Sequence, residues 1–344
     1  MKPLRIGIIG AGMIAGVIAN AIKQSQGAII AGVTSRSKTS AQTFASEQGI
    51  TQVFANTEEM LASDTVDAVY IATPTSVKEP IAIAAAQAKK HLLVDKPFAS
   101  FSSLERIIGA AQQACVAFMD ATHFTHHPRT QQLANGGLMQ EIGTPQALRS
   151  SFFFPFMDRA NIRFDPEKEP TGAVGDMTWY SMRAIVEYLQ PKVDVKAVSG
   201  SVVTDPETGA IIRGGGHIAF VDGKSSTFDF GYNAGVCVMD LDILGESGMV
   251  SIDDFVLDWN SGFAFDDPSY QVGYTKRSGM QTPEQWQYQA TPSSRPQAVN
   301  LVESFAQIAQ IPSSASAKAS IKRALLTQSL LEQYWQAINQ QESN

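Results

Sequence analysis

The chain has 344 residues, of which 44% are hydrophobic and 17% charged, and a formal net charge of −7. The length favours about two domains over a single core, and the acidic balance argues against a nucleic-acid partner, which would need a basic face. No apolar run reaches the roughly 20 residues of a membrane span. The N-terminus enters a strand without a signal-peptide pattern, and Cys115 and Cys237 lie too far apart in sequence to suggest a disulfide framework, so a cytoplasmic protein with no membrane partner is expected.

The first part alternates strand-like and helix-like segments. Leu4 to Ile9 reads as a buried strand that passes through Gly10-Ala11-Gly12 into a helix, where Met13, Val17 and Ala21 share a stripe with Ile14, Ile18 and Ile22. A second strand runs from Ala28 to Val33, followed by helices over Lys38–Glu47 and Asn56–Ala62 and a strand over Val66–Ala72. Ser76-Val77-Lys78-Glu79 has the form of a capping box opening an alanine-rich helix that ends near Lys90. The strand His91–Val94, a helix over Ser102–Ala114 and the strand Val116–Met119 complete the pattern. Strands separated by helices of this length imply right-handed crossovers and a parallel, doubly wound sheet.

After about residue 122 the texture changes. Pro128 suits the first turn of a helix, Ala147–Phe156 is strand-like, and Asn161–Gly175 reads as a polar loop leading into a helix around Tyr180. From Val195 to Trp259 successive strands are expected, turning at Asp222-Gly223 and Glu246-Ser247-Gly248. Gly214-Gly215-Gly216-His217 reads as a bulge or strand entry, since no Lys-Ser/Thr follows to make a phosphate loop. Two helices close the chain, near Val299–Ala309 and Ser316–Gln340. The expected fold is α/β: a Rossmann-like dinucleotide-binding domain over 1–122, then an α+β domain over 123–344 with a mostly antiparallel sheet. An open face of that sheet would favour a homodimer or homotetramer.

Gly10 and Gly12 permit a tight turn and close backbone approach to a pyrophosphate, which the helix N-terminus at Met13 and Ile14 receives with open N–H groups. The second strand bears on the cofactor. An NAD enzyme usually carries an acidic residue there for the ribose hydroxyl, whereas this chain has Ser35-Arg36-Ser37-Lys38. A guanidinium fork at Arg36, with Ser35, Ser37 or Lys38, matches a 2′-phosphate, so NADP(H) is favoured over NAD(H). Lys96, in Asp95-Lys96-Pro97 at the carboxyl end of a strand, points to the ligand crevice of such a fold.

Gly10-x-Gly12-x-x-Ala15, Ala72-Thr73-Pro74-Thr75-Ser76 and Asp95-Lys96-Pro97 together resemble the fingerprint of the glucose–fructose oxidoreductase/inositol dehydrogenase/MocA (Gfo/Idh/MocA) family. Gly172-Ala173-Val174-Gly175-Asp176-Met177-Thr178-Trp179-Tyr180 resembles its glycine-rich segment ending in Asp-x-Gly-x-His/Tyr. Thr75, Asp95 and Thr178 depart from the usual Asn, Glu and Gly, and Arg183 stands where sugar dehydrogenases often carry Asp. Met119-Asp120-Ala121-Thr122, His127-Pro128-Arg129-Thr130 and the segment from Gly175 to Ala184 are similar to a branch of uncharacterised oxidoreductases related to dihydrodiol and xylose dehydrogenases. The resemblance implies an NAD(P)-dependent oxidoreductase acting on a sugar-like or other small hydroxyl or carbonyl substrate. It places Thr73, Pro74 and Thr75 in the cofactor site and makes Tyr180 the acid/base, Lys96 its electrostatic partner and Asp176 their support.

Elementary chemistry agrees with those roles. Hydride transfer to a carbonyl carbon leaves an oxyanion that needs a proton and a nearby positive charge. A phenol titrates near pH ~10, and a neighbouring ammonium brings it toward the working range. His123 is the rival proton donor and otherwise a pocket residue, and Arg163, Trp179 and Arg183 are candidate substrate contacts. His123, His126 and His127 lack a matching carboxylate or cysteine set, so no metal is expected. Two other readings stay open: glycoside hydrolysis through a tightly held NAD, and a dinucleotide-sensing regulator without turnover.

Overall fold

The computed structural model describes every residue except 1, 157, 193, 258–266, 268 and 342–344. It divides into two compact units, Met1–His126 with Arg295–Leu325 and His127–Ser294 with Leu326–Asn344.

The first unit opens with β1 (Leu4–Ile9), α1 (Met13–Gln24), β2 (Ala28–Thr34), α2 (Lys38–Gln48), α3 (Thr57–Ala62) and β3 (Ala68–Ile71). It continues with α4 (Thr75–Gln87), β4 (His91–Val94), α5 (Phe101–Ala114) and β5 (Phe118–Asp120). The strands form one sheet in the order β2-β1-β3-β4-β5, and all of its pairings are parallel. The strand order reverses between β1 and β3, which opens a crevice at their carboxyl ends. The expected capping box does not form. Pro74, with φ of −52°, is the N-cap and α4 begins at Thr75, because the fixed proline φ already sets the helical entry. Glu79 pairs instead with Arg106 at 2.9 Å, and Lys78 turns inward. The helix also stops short of Lys90, at Gln87, where Lys89 adopts a φ of 60°.

The second unit holds α6 (Pro128–Gln132), α7 (Leu138–Ile142), β6 (Pro145–Phe153), α8 (Gly172–Ala184), β7 (Val195–Thr204), β8 (Ile211–Phe220) and β9 (Ser225–Gly231). Then follow β10 (Val238–Gly245), β11 (Met249–Ile252), β12 (Gly273–Arg277) and β13 (Gln287–Ala290). One sheet runs β13-β12-β11-β10-β6-β9-β8-β7, parallel at β6–β9 and antiparallel at its other pairs. Leu148, Ser150 and Phe152 of β6 are buried while Arg149 between them is exposed, the alternation of a sheet covered on one face. The two expected turns are present between β8 and β9 and between β10 and β11. Trp259, the expected end of the strand series, lies outside the described residues. β12 and β13 lie beyond the strands expected from sequence. Gly172–Gly175, expected in a loop, form the first turn of α8.

The glycine run Gly214–Gly216 is neither bulge nor strand entry but regular β8 strand, with Gly216 opposite Gly200 of β7. The reason is close approach. A Cβ at Gly200 or Gly216 would stand 2.4 or 2.6 Å from the Tyr334 ring, so the bare backbone is what lets that ring lie on the sheet.

The chain closes with α9 (Gln297–Gln310) and α10 (Ala315–Gln341). Val299, Val302, Phe305 and Ile308 make an apolar stripe on α9 that joins the core formed by Ile18, Ile22 and Ala28. Against the expected boundary at 122, α9 and the start of α10 group with the first unit.

Candidate functional site

In the first unit, the candidate residues cluster at strand ends. Gly10 follows β1 with a φ of +121°, and a Cβ there would lie 2.5 Å from the Ala72 carbonyl oxygen, so glycine is required. Gly12 is the N-cap of α1, makes no side-chain cap bond and has open space where a Cβ would stand. The α1 N–H groups are therefore left for a ligand rather than for a capping side chain. Thr34 and Thr73, at the ends of β2 and β3, bury hydroxyl groups that have no hydrogen-bond partner among the described residues. Open amides and orphaned hydroxyls around the switch point suit a polar ligand with many acceptors, as a dinucleotide is. Met13 is exposed and Ile14 half-buried at this helix start.

After β2, Arg36 and Lys38 are exposed and Ser35 is half-buried, while Ser37 caps α2 by accepting from the Ser40 N–H at 3.2 Å. Pro74 is half-buried and Thr75 buried at the start of α4. Lys96 lies half-buried just past β4, joined to Pro97 by a cis peptide.

His123, just past β5, is buried, with its Nδ1 2.9 Å from the Gln297 side-chain nitrogen. An amide nitrogen only donates, so Nδ1 accepts and the neutral ring carries its proton on Nε2. Burial, helped by the charges of Lys96 and His126, pushes its pKa down to about 3. The three histidines do not converge. His126 pairs with Ser304 at 3.1 Å, and His127 accepts the Arg129 N–H at 3.0 Å as the cap of α6. Among the described residues no cluster of three His, Cys, Asp or Glu side chains is arranged to hold a metal ion.

In the second unit, α8 carries the remaining candidates. Asp176 accepts from Arg163 Nε at 2.7 Å and from the Tyr232 hydroxyl at 3.2 Å. Burial opposes the charge on Arg163, but Asp176 and Tyr232 outweigh it and raise its pKa. Burial and the adjacent Asp176 push the Tyr232 phenol well above its usual value, so it remains an O–H donor. Phe156 adds a ring face 4.2 Å from the Arg163 guanidinium. Tyr232 was not anticipated, because its position at the end of β9 has no local motif.

Tyr180 lies one helical turn beyond Asp176 and meets the Phe152 ring edge-on at 5.3 Å. Trp179 and Arg183 do not join this group. Trp179 is fully buried, with the Arg183 guanidinium 5.7 Å from its ring. Arg183 donates to Thr327 at 2.7 Å and pairs with Glu187 at 3.6 Å. Both side chains are packed inside the fold, and Arg183 bonds a partner 144 residues away that helix periodicity does not reveal.

Two family models match this chain. "Oxidoreductase family, NAD-binding Rossmann fold" covers residues 4–122, and "GFO/IDH/MocA C-terminal domain" covers residues 138–251. The chain belongs to the Gfo/Idh/MocA family. Among similar proteins is D-xylose 1-dehydrogenase (NADP(+)) 2 of Haloferax volcanii, 33% identical over 156 residues, 45% of this chain and 47% of that one. The scyllo-inositol 2-dehydrogenase (NADP(+)) of Bacillus subtilis is 31% identical over 203 residues, 56% of this chain and 61% of that one. The matched stretches thus span less than two thirds of these relatives. The fold of the 3-ketoreductase KijD10 from Actinomadura kijaniata, solved with NADP and TDP-benzene, is similar at a TM-score of 0.86 and 21% identity over 98% of both chains. The aldose-aldose oxidoreductase of Caulobacter crescentus reaches 0.81 at 18% identity, again over 98% of both chains.

Proposed function

We propose that this protein is an NADP(H)-dependent oxidoreductase of a sugar-like or other small hydroxylated carbonyl substrate, working in the cytoplasm. The observation that carries the reading is found within the first unit. An α1 N-terminus left uncapped at Gly12 sits in the same sheet crevice fold as a lysine turn at the end of β4. The activities of the similar xylose and inositol dehydrogenases support the same reaction class and cofactor.

The nicotinamide, when bound, supplies hydride transfer at its ring carbon. Gly10, Gly12 and the N–H groups of Met13 and Ile14 would hold its pyrophosphate, and Thr73, Pro74 and Thr75 would line its path. Arg36, with Ser35 and Lys38, would take the 2′-phosphate, for which the exposed guanidinium is suited. Tyr180 gives or takes the proton at the substrate oxygen, and the positive charge of Lys96 favours its phenolate. Between the two candidate donors, the low pKa of His123 supports Tyr180, because a neutral imidazole has no readily released proton at neutral pH. Asp176, held ready by Arg163 and Tyr232, offers a carboxylate to substrate hydroxyls. The outward face of the second unit's sheet, a polar surface that includes Arg149 paired with Asp242, is the proposed surface for a homo-oligomer.

The test is NADPH oxidation, followed by fluorescence, over sugars, keto-sugars, diones and aldehydes. Turnover with NADPH and weaker turnover with NADH is expected. Lys96→Met and Tyr180→Phe should each lower kcat by about 10²–10⁴-fold. Absence of any nicotinamide binding would end the proposal.

A further inference from the structure

The geometry points to Lys78 of α4 as a positioning residue that fixes the turn carrying Lys96. The inference rests on the reading of Lys96 as a catalytic lysine. Lys78 is 2% exposed, an unusual place for an ammonium, which loses its hydration there unless the fold supplies partners. Its Nζ donates to the Pro97 carbonyl oxygen at 2.6 Å and lies 5.8 Å from the centre of the buried Phe98 ring, within cation–π range.

The segment from Asp95 to Phe98 belongs to neither β4 nor α5. At its start, the Asp95 N–H donates to the Ile71 carbonyl at 3.0 Å. Proline has no N–H to add, and past Lys96 the Pro97 carbonyl is held by Lys78. Lys96 therefore rises from backbone anchored on both sides, and the second anchor is a charge-assisted bond. Lys78 lies one turn beyond Thr75 on α4, whose entry is Thr73-Pro74. One short helix thus ties the proposed cofactor loop to the lysine turn. A lysine kept only for packing could sit there as Met or Leu without the cost of burying charge.

A double-mutant cycle on kcat tests this, with NADPH affinity read separately by fluorescence titration. Lys78→Met should lower kcat by roughly tenfold or more while the NADPH Kd changes by less than about threefold. Lys78→Arg, which keeps a charged donor, should recover most of the loss. In the Lys96→Met background, Lys78→Met should change kcat by less than about twofold, because a residue acting through Lys96 has nothing left to act on. A loss of the same factor in both backgrounds, or full activity in Lys78→Met, would overturn the inference. If Lys78→Met does not fold, Lys78→Gln carries the same cycle with the same expected coupling. Should Lys96→Met itself retain full activity, the catalytic reading of Lys96 fails and the role of Lys78 fails with it. A normal loss on Lys96→Met without coupling removes only the role of Lys78.

Discussion

The two units place their functional chemistry differently. In the first, the candidates sit at the carboxyl ends of parallel strands, where short motifs in sequence become neighbours in space: Gly10 meets Ala72, and Lys96 follows β4 directly. In the second, the candidates are knotted into long-range side-chain networks. Asp176 is shared by Arg163 and Tyr232, Arg183 is taken by Thr327, and Arg129 is buried against Asp254 at 2.8 Å. A parallel sheet builds its site from backbone ends, so local sequence reports it. A site on a helix over a mixed sheet depends on which distant partner claims each charge.

That contrast can be broken or sharpened by stability measurements, because the described tryptophans, Trp179, Trp286 and Trp335, belong to the second unit. The largest effect is expected at Arg129. Its guanidinium donates to Asp254 Oδ1, to the Asp254 carbonyl at 2.9 Å and to the Gly273 carbonyl at 3.1 Å. Arg129→Leu leaves Asp254 as a buried charge without this partner, at a cost of about 3–5 kcal/mol. Tryptophan fluorescence in urea should show the second unit unfolding earlier; an unmoved transition would mean the pair is dispensable.

Phe305→Ala should cost about 3 kcal/mol or more by opening a cavity where α9 meets the first unit's core. Hydrogen exchange should report the loss in β1 and α1. If protection fell instead in β6 to β10, the assignment of α9 to the first unit would be wrong.

The effect that is smallest near neutral pH is a pH slope that each unit carries through one buried histidine. Burial, with Lys96 and His126, lowers His123 to about 3, and burial with Arg129 lowers His127 to about 3. The unfolded chain binds protons near pH ~6.5 that the folded chain refuses. Stability is therefore complete above that pH and falls toward pH 3, by about 1.4 kcal/mol per pH unit for each histidine. His127→Asn, which keeps an N-cap acceptor, should flatten the slope read by tryptophan fluorescence. A slope that persists unchanged would point to carboxylates instead.

Much of the fold was legible because hydrophobic periodicity and turn chemistry act over a few residues. The five strands of the first sheet, the glycine bend, the lysine turn and the hairpins at Asp222-Gly223 and Glu246–Gly248 all follow from local pattern. Where a local pattern had a competitor, the reading failed. Ser76 and Glu79 looked like a capping box, yet Pro74 had already set the helix entry and Arg106 took Glu79. Gly214–Gly216 looked like a strand interruption, yet it is regular strand in which Gly216 admits the Tyr334 ring and Gly214 and Gly215 lie close to Phe230 and Asp229.

The sequence alone thus determined the dinucleotide-binding architecture, the family resemblance and the residue types available for proton transfer. These rest on backbone conformation and on periods of two and 3.6 residues, which short segments encode by themselves. Only the tertiary structure decided which unit α9 joins, that Arg183 bonds Thr327, that Asp176 belongs with Tyr232, and that Lys78 anchors the turn of Lys96. Each of those depends on a partner from a distant part of the chain, and burial makes that partner obligatory: a charge removed from water must find its counterpart wherever the fold brings one.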